Sequence, residues 1–354
     1  MANRRPRILS VIGARPEIIQ AAPVTAALAR YADEVLVHTG QHYDAAMSDD
    51  QIHATRLPQP QYNLGVGSRS RDDQIAVGER GLLDVIAAER PDAVVVRGDT
   101  NATLSGARAA VAAGLPLMHI EAGLRSFRAD MPEEINRIET DRLANVLFAP
   151  TEGARRNLQI EGVGGDVFVT GDPLCDILES WRDRIAPAAG EYVLATVHRN
   201  YNTDEPVRLG AVLACLGRSP WRVLFPVHPR TRARIDEWDL AVPEQVELCD
   251  PVPYTRMLEL ERGARAIATD SGGVQREAYL WGVPCVTLRE ETEWTDTVEA
   301  GWNTVVGVDA DAFATALARP VPAVRPPVFG DGQAAERIAR LTVQWLTESM
   351  EVAA

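Results

Sequence analysis

Short β-branched apolar runs alternate with longer stretches of helical period along almost the whole chain. Ile8–Ile12, Val35–His38, Ala93–Val96, Leu117–Ile120, Val146–Ala149 and Val167–Val169 are continuous enough to be strands buried on both faces. Between them Glu17–Arg30, Asp73–Ala88, Ala102–Ala113, Glu133–Leu143 and Glu152–Glu161 carry the pattern of helices. A second series follows, with strands near Tyr192–Thr196, Val223–Val227, Val246–Leu248, Arg265–Ala268 and Cys285–Leu288, and helices near Pro206–Leu216, Tyr254–Arg262 and Val274–Leu280. Alternating β and α elements predict doubly wound parallel sheets. Two such series predict an α/β chain of two Rossmann-like lobes facing each other across a cleft.

The first lobe is expected over residues 1–171. The second is expected over 172–330, led in by the helical stretch Pro173–Arg184 and the loop Ala186–Gly190. The Pro-rich stretch Pro320–Pro327 precedes a last helical pattern, Ala334–Met350. Residues 331–354 are expected to pack back on the first lobe.

Composition narrows the possibilities. The 354 residues include 36 basic and 50 acidic side chains, a formal charge of -14, which argues against a general nucleic-acid binder. No apolar run approaches the ~20 residues needed to span a bilayer. The basic start MANRRPR reads as a lead into the first strand rather than a secretion signal, because the apolar run after it is brief. Cys175, Cys215, Cys249 and Cys285 are far apart, so buried thiols of a cytoplasmic enzyme are the simplest reading. The chain contains no lysine. That excludes Schiff-base catalysis, a lysine general base and a Walker phosphate loop.

Two loops have the chemistry of anion sites. Gly13-Ala14-Arg15-Pro16-Glu17 directly follows the first strand. There Gly13 allows a tight turn, Pro16 suits the start of a helix, and Arg15 can meet a phosphate. An ordinary strand–helix turn with a surface Arg is the plain alternative. Thr269-Asp270-Ser271-Gly272-Gly273 opens a later helix that carries Glu277 one turn in. Its backbone N–H groups can receive a diphosphate, and Glu277 can accept from ribose hydroxyls. No GxGxxG fingerprint accompanies it, so a nicotinamide cofactor is not indicated.

Acids collect at strand ends as well. Asp99, Glu121 and the pair Glu133–Glu134 follow three successive strand or helix boundaries and point to one edge of one sheet, with Arg125 and Arg137 near enough in sequence to hold some of them ionised. Any one of them alone could be a helix cap or a solvated charge. His198, after the first strand of the second lobe, can pair with a phosphate or protonate a leaving group. Asp309-Ala310-Asp311 precedes a helical run and reads as a cap rather than a metal site. No metal is expected.

These residues resemble the non-hydrolysing UDP-N-acetylglucosamine 2-epimerases, a family with the GT-B two-lobe fold. The resemblance runs through GARPEIIQAAP, TGQH (39–42), RGDTN, HIEAGLRS, MPEEINR, FAPTE, VTGDPLCD, HR (198–199), PVHPR, TDSGGVQREA and GDGQAAERI. It implies that Arg15, Ser271, Gly272, Glu277 and His198 contact UDP. It implies that Asp99, Glu121 and Glu133 are the catalytic acids, with Arg137 and His198 assisting. Further substrate contacts are implied for Gln20, Arg199, His228, Gly273 and Arg289. The implied reaction inverts C2 of the sugar by elimination of UDP to a glycal and re-addition, with no cofactor, in a cytoplasmic homodimer that engages neither nucleic acid nor membrane.

The chemistry asks for such a set. The C2 proton has no adjacent carbonyl and leaves only as the C1–O bond to UDP breaks. A diphosphate site and a carboxylate on each face of C2 are therefore the minimum. The chain departs from the family pattern at Gln20, where many members have Lys, at Asn200-Tyr201-Asn202 after His198-Arg199, and at Trp294 after Glu293. The last two resemble a subgroup from archaea and polysaccharide pathways, some acting on diacetamido-uronic acid nucleotides. Gln41 and His42 match part of an activator site, whereas Asp44 and Gly65–Arg71 look different. Alternatives to UDP-N-acetylglucosamine epimerisation are a 2-epimerase for another UDP-sugar, the hydrolysing epimerase, a GT-B glycosyltransferase and a non-catalytic sugar-nucleotide sensor.

Overall fold

The computed structural model describes residues 4–40 and 52–353; Gln41, His42 and Asp44 lie outside the described residues. The chain forms two compact units. One runs up to Ser180 and resumes at Pro327; the other is Trp181–Pro326.

Among the described residues, the first unit contains a seven-stranded sheet: β1 (Arg7–Ile12), β2 (Asp33–His38), β3 (Tyr62–Asn63), β4 (Ala93–Arg97), β5 (Leu117–Ile120), β6 (Val146–Ala149) and β7 (Asp166–Val169). The strands lie in the order β3-β2-β1-β4-β5-β6-β7, and the paired strands are parallel. Its helices are α1 (Arg15–Leu28), α2 (Arg71–Glu89), α3 (Asn101–Ala112), α4 (Pro132–Leu143), α5 (Glu152–Ile160) and α6 (Pro173–Trp181), whose last residue already counts with the second unit.

Alternate strand residues face opposite layers, as a pleated strand requires. Ile8, Val95, Met118 and Phe148 pack with Val24 and Leu28 of α1. Leu9, Val11, Val94 and Val96 pack with Leu82, Val85 and Ala107 of α2 and α3. The C-terminal helix α14 (Ala334–Ala353) returns to the α1 face through Ile338, Ala339 and Leu346. Its first turn is capped by Asp176, which accepts from the N–H groups of Ala334 (3.1 Å) and Ala335 (2.8 Å). Burial pushes that carboxyl up to about 6.

The second unit holds a six-stranded parallel sheet in the order β10-β9-β8-β11-β12-β13. Its strands are β8 (Tyr192–Thr196), β9 (Arg222–Pro226), β10 (Val246–Cys249), β11 (Ala266–Thr269), β12 (Cys285–Thr287) and β13 (Asn303–Val305). The helices are α7 (Asn200–Thr203), α8 (Pro206–Leu216), α9 (Pro229–Glu237), α10 (Tyr254–Gly263), α11 (Gly272–Trp281), α12 (Thr295–Glu299) and α13 (Ala310–Ala318). Leu209, Val212, Phe313 and Leu317 cover one face of the sheet, and Leu260, Ala278 and Val283 the other.

The two doubly wound parallel sheets are those expected from the alternation. Asp309 caps α13, accepting from the N–H groups of Asp311 and Ala312 (both 2.9 Å). The pattern missed β3 and β13, which have two and three residues and carry no readable period, and α9, whose polar sequence hides its apolar side.

Candidate active site

Strand order fixes where a site can be. In each sheet the winding reverses between two adjacent strands, β1 and β4 in the first and β8 and β11 in the second. The loops leaving those strands diverge to opposite faces and open a crevice at their carboxyl ends.

In the first unit Glu17 spans that crevice. Its Oε2 accepts from the N–H groups of Gly13 (2.5 Å) and Ala14 (2.8 Å) after β1. Its Oε1 accepts from the hydroxyls of Thr100 (2.6 Å) and Thr103 (2.9 Å) after β4. Burial raises its proton affinity despite these four donors, because all four are neutral. Arg15, next along the chain, is exposed at the start of α1.

The acids predicted for chemistry follow β4 and β5 and open α4. Asp99 takes an ion pair from Arg137 Nη2, and its carbonyl accepts from Asn136 Nδ2 (3.0 Å). Arg137 is buried and gives its Nη1 to Glu134 at 2.5 Å. Glu134 also accepts from the N–H groups of Ser126 (2.9 Å) and Phe127 (2.9 Å), so this acid shapes the loop before α4. Its neighbour Glu133 lies one position out of phase and stays partly exposed. Glu121 directly follows β5 with φ 71°, a left-handed conformation that costs a non-glycine residue on the order of 1–3 kcal/mol. Its carboxylate accepts a hydrogen bond from the Nε2 of Gln20 on α1.

Beneath these groups lies a buried hub. Asp141 of α4 accepts from His119 Nδ1 (2.7 Å), Arg125 Nη1 (2.7 Å) and the N–H of Gly123 (3.1 Å). The other ring nitrogen of His119 reaches the carbonyl oxygen of Gly98 at 2.8 Å. Both ring nitrogens of His119 thus face oxygens, one on Asp141 and one on Gly98. Burial opposes the charge on Asp141, yet the His119 hydrogen bond and the charges of His119 and Arg125 hold its carboxyl below the usual range. The hub thereby fixes the backbone on either side of Glu121 and just before Asp99.

In the second unit Asp270 spans the corresponding crevice. It follows β11 and accepts from the N–H groups of His198 (3.1 Å) and Arg199 (3.0 Å) after β8, and from Asn202 Nδ2 (2.9 Å). The His198 ring is 57% exposed, with its Nδ1 3.2 Å from Asp270. Ser271 caps α11, its hydroxyl accepting from Val274 N–H at 3.4 Å, and Gly272 and Gly273 form the first turn. A methyl group on Gly272 would lie 2.6 Å from Glu293 Oε1 and 3.0 Å from Trp294 Nε1, so a side chain here requires Glu293 to shift. At Gly273 the space is open apart from Ser271 Oγ at 3.7 Å.

Trp294 is buried, with the Arg276 guanidinium 4.3 Å from its ring centroid. Arg289 is buried too, and its Nη2 pairs with Glu293 (2.9 Å) and Glu291 (3.3 Å). Glu277 is buried and accepts from the Tyr254 hydroxyl at 2.5 Å. His228 is exposed after β9, where its Nδ1 caps α9 by accepting from Arg230 N–H at 3.2 Å. Tyr201 lies on α7, and burial pushes its phenol up to about 12.

The residues singled out in sequence thus fall into two groups. Arg15, Gln20, Asp99, Glu121, Glu133 and Arg137 belong to the first unit; His198, Arg199, His228, Ser271, Gly272, Gly273, Glu277 and Arg289 belong to the second. The sequence reading missed the roles of Glu17, Asp141 and Asp270. Glu17 had a signal, a carboxylate three residues past the turn at Ala14, the spacing of a capping box. Asp141 had none.

A family model described as UDP-N-acetylglucosamine 2-epimerase matches residues 26–342 of this chain. The chain belongs to the UDP-N-acetylglucosamine 2-epimerase family. Among relatives of this epimerase, a "UDP-N-acetylglucosamine 2-epimerase homolog" of Methanococcus maripaludis is 39% identical over 95% of the chain and 99% of its own length. The UDP-2,3-diacetamido-2,3-dideoxy-D-glucuronate 2-epimerase of Pseudomonas aeruginosa is 40% identical over 94% and 98%. The crystal structure of the Methanocaldococcus jannaschii UDP-GlcNAc 2-epimerase in complex with UDP-GlcNAc and UDP aligns with a TM-score of 0.85 at 35% identity, covering 96% of this epimerase and 99% of that chain. Among the described residues no helix is long and apolar enough to cross a membrane.

Proposed function

We propose that the protein interconverts UDP-N-acetylglucosamine and UDP-N-acetylmannosamine at C2. The observation that supports this reading is that Asp99 and Glu121 follow the adjacent parallel strands β4 and β5 at the carboxyl edge of the first sheet, Asp99 paired with Arg137 and the end of β5 tied through His119 to Asp141; Glu133 joins them through the family resemblance. A diphosphate needs one anion site, whereas inverting a carbon needs a proton-transferring group for each face.

In the forward direction one carboxylate takes the C2 proton as the C1–O bond breaks. The electron pair of the C2–H bond forms the C1=C2 double bond, and UDP leaves with the pair of the C1–O bond. The products of that half are UDP and 2-acetamidoglucal. In the second half a protonated carboxyl delivers a proton to the opposite face of C2, and a diphosphate oxygen adds to C1. The exposed His198 and the N–H groups that open α11 serve the charge that grows on the leaving diphosphate. Asp99, Glu121 and Glu133 supply the acid and base, and their assignment to faces rests on variants.

The test is incubation with UDP-N-acetylglucosamine in deuterated water. The expected outcome is UDP-N-acetylmannosamine with deuterium at C2. Absence of both products and label overturns the reading. A second reading, that the substrate is a UDP-diacetamido-uronic acid, is favoured by the 40% identity to the P. aeruginosa enzyme. Exchange on that nucleotide without exchange on UDP-N-acetylglucosamine decides for it. Free N-acetylmannosamine as product would instead mark a hydrolysing enzyme.

A further inference from the structure

Three polar side chains lie on one diagonal across the α1 face of the first sheet. The register sets Glu34 of β2 beside Ile8 of β1, and Ser10 of β1 beside Val95 of β4. Arg97 ends β4 two residues past Val95. Ile8, Ala93 and Val95 face α1, whereas Val35, Val37, Val94 and Val96 face the opposite layer. By alternation Glu34, Ser10 and Arg97 therefore share the α1 face. Ser10 stands on the middle strand and in the middle row, with the acid on one side and the base on the other.

The protein itself satisfies none of these groups. Arg97 and Ser10 are 0% exposed. The Nε, Nη1 and Nη2 of Arg97, the Ser10 hydroxyl and both carboxylate oxygens of Glu34 are buried with no hydrogen-bond partner among the described residues. The other buried guanidinium groups of this unit are held differently: Arg125 pairs with Asp141 and Glu161, and Arg137 with Asp99 and Glu134. Burial lowers the proton affinity of Arg97, and the charges of Glu34 and Glu17 oppose that effect. The guanidinium is thus attracted to carboxylates that it does not touch. A buried charge in that position is costly unless something polar bridges the gap.

We propose that ordered water bridges Arg97 to Glu34 by way of Ser10, making a closed internal hydration site beneath α1. Water suits the set because it both donates and accepts. One end offers a fork of N–H donors, the other a carboxylate, and the middle a hydroxyl that can do either. An anion would satisfy Arg97 alone and be repelled by Glu34 and Glu17; a cation would satisfy Glu34 alone. With about three hydrogen bonds to each buried water, about two or three molecules serve all three residues. The site is separate from the proposed reaction, whose acids and diphosphate contacts include none of these side chains. Arg97 directly precedes Gly98 and Asp99, so what the water fixes is the end of β4 from which that turn departs.

The test is a high-resolution crystal structure of the full chain together with melting temperatures of four variants. Density should show water within hydrogen-bond distance of the Arg97 nitrogens, the Ser10 hydroxyl and the Glu34 carboxylate. Arg97→Met strands the Glu34 charge and should melt about 10 °C below wild type. Glu34→Gln should lose about half as much, because Glu17 still faces the guanidinium. The double variant Arg97→Met/Glu34→Gln should lose less than the sum of the two. Ser10→Ala should fall by about 2–4 °C, since the bridge loses its middle support. A direct Arg97–Glu34 contact in the density, or no water peaks between them, overturns the inference. So does an anomalous signal at the site in crystals soaked in bromide, which would mark an anion. Additive losses overturn it as well, as does Ser10→Ala melting at or above wild type, the result for a hydroxyl buried without a partner. If Arg97→Met does not fold, the wild-type density and Ser10→Ala decide.

Discussion

Each sheet has one buried carboxylate bridging the two loops where its winding reverses, and the two are built from opposite sides. Glu17 stands after β1 and reaches to the hydroxyls after β4, while Asp270 stands after β11 and reaches back to the N–H groups after β8. What surrounds them differs more. Around Glu17 the neighbouring loops carry acids clamped by guanidinium groups and by a buried imidazole. Around Asp270 they carry an exposed imidazole and a helix that opens on two glycines. The lesson is that one topology, with one acid as a staple, supports two chemistries. Under the proposed reaction the first unit holds the side chains whose charge changes, and the second offers backbone donors whose charge does not.

The comparison breaks if the two groups of variants behave alike. Asp99→Asn, Glu121→Gln and Glu133→Gln are each expected to lower kcat by about 10²–10⁴ with little change in UDP affinity measured by calorimetry. A large loss of UDP affinity in all three would make them binding residues and erase the distinction. Asp270→Asn turns an amide donor towards N–H groups that need an acceptor. UDP affinity should fall about 10–100-fold, with a lower melting temperature. Gly272→Ala meets the carboxylate of Glu293, itself pinned by Arg289, so its UDP Kd should rise about tenfold while Gly273→Ala stays within about threefold.

Two effects on stability rather than on turnover or binding sharpen the account of the first unit. Asp141→Asn breaks a buried charged network and should cost about 3–5 kcal/mol in denaturant melts at pH 7. The Asp141 carboxyl titrates lower in the folded protein than in the unfolded chain. Its contribution is therefore present above ~4 and vanishes as pH falls through the depressed folded value. The wild-type advantage over Asp141→Asn should shrink in acid. Asp176 has the opposite sign, since its carboxyl is raised to about 6. Its stabilising effect is full below ~4 and is lost as pH rises through 6. Wild type minus Asp176→Asn, followed by melting, should thus decline by on the order of 2 kcal/mol between pH 4 and 7.

Much of this was legible in the sequence because parallel strands advertise themselves. Val94-Val95-Val96 must be buried on both faces, and a polar residue one to three positions past such a strand then falls at the edge where ligands sit. Glu121, Asp99 and Ser271 could be placed by that rule alone. Choosing between Glu133 and Glu134 needed helical phase as well, which turns the second inward to Arg137 and leaves the first partly exposed. The partners of these acids were not legible. Asp141 meets His119 and Arg125 from 22 and 16 positions away, and Gln20 meets Glu121 across 101, separations that local pattern cannot see. The pairing of the Arg289 guanidinium with Glu291 and Glu293, created by the turn after β12, was likewise not legible.

The route of the chain has a bearing on its synthesis. Helix α14 covers the apolar layer formed by Ile8, Val24, Leu28 and Met118, and it is anchored there by Tyr31 and Arg30 bonding to Glu336. Every residue of the second unit leaves the ribosome before that cover is made. The earlier-made portion must therefore wait with a greasy surface bare until the last helix is made. A nascent polypeptide stalled near residue 330 would be a target for chaperones and proteases at its beginning, not at its end.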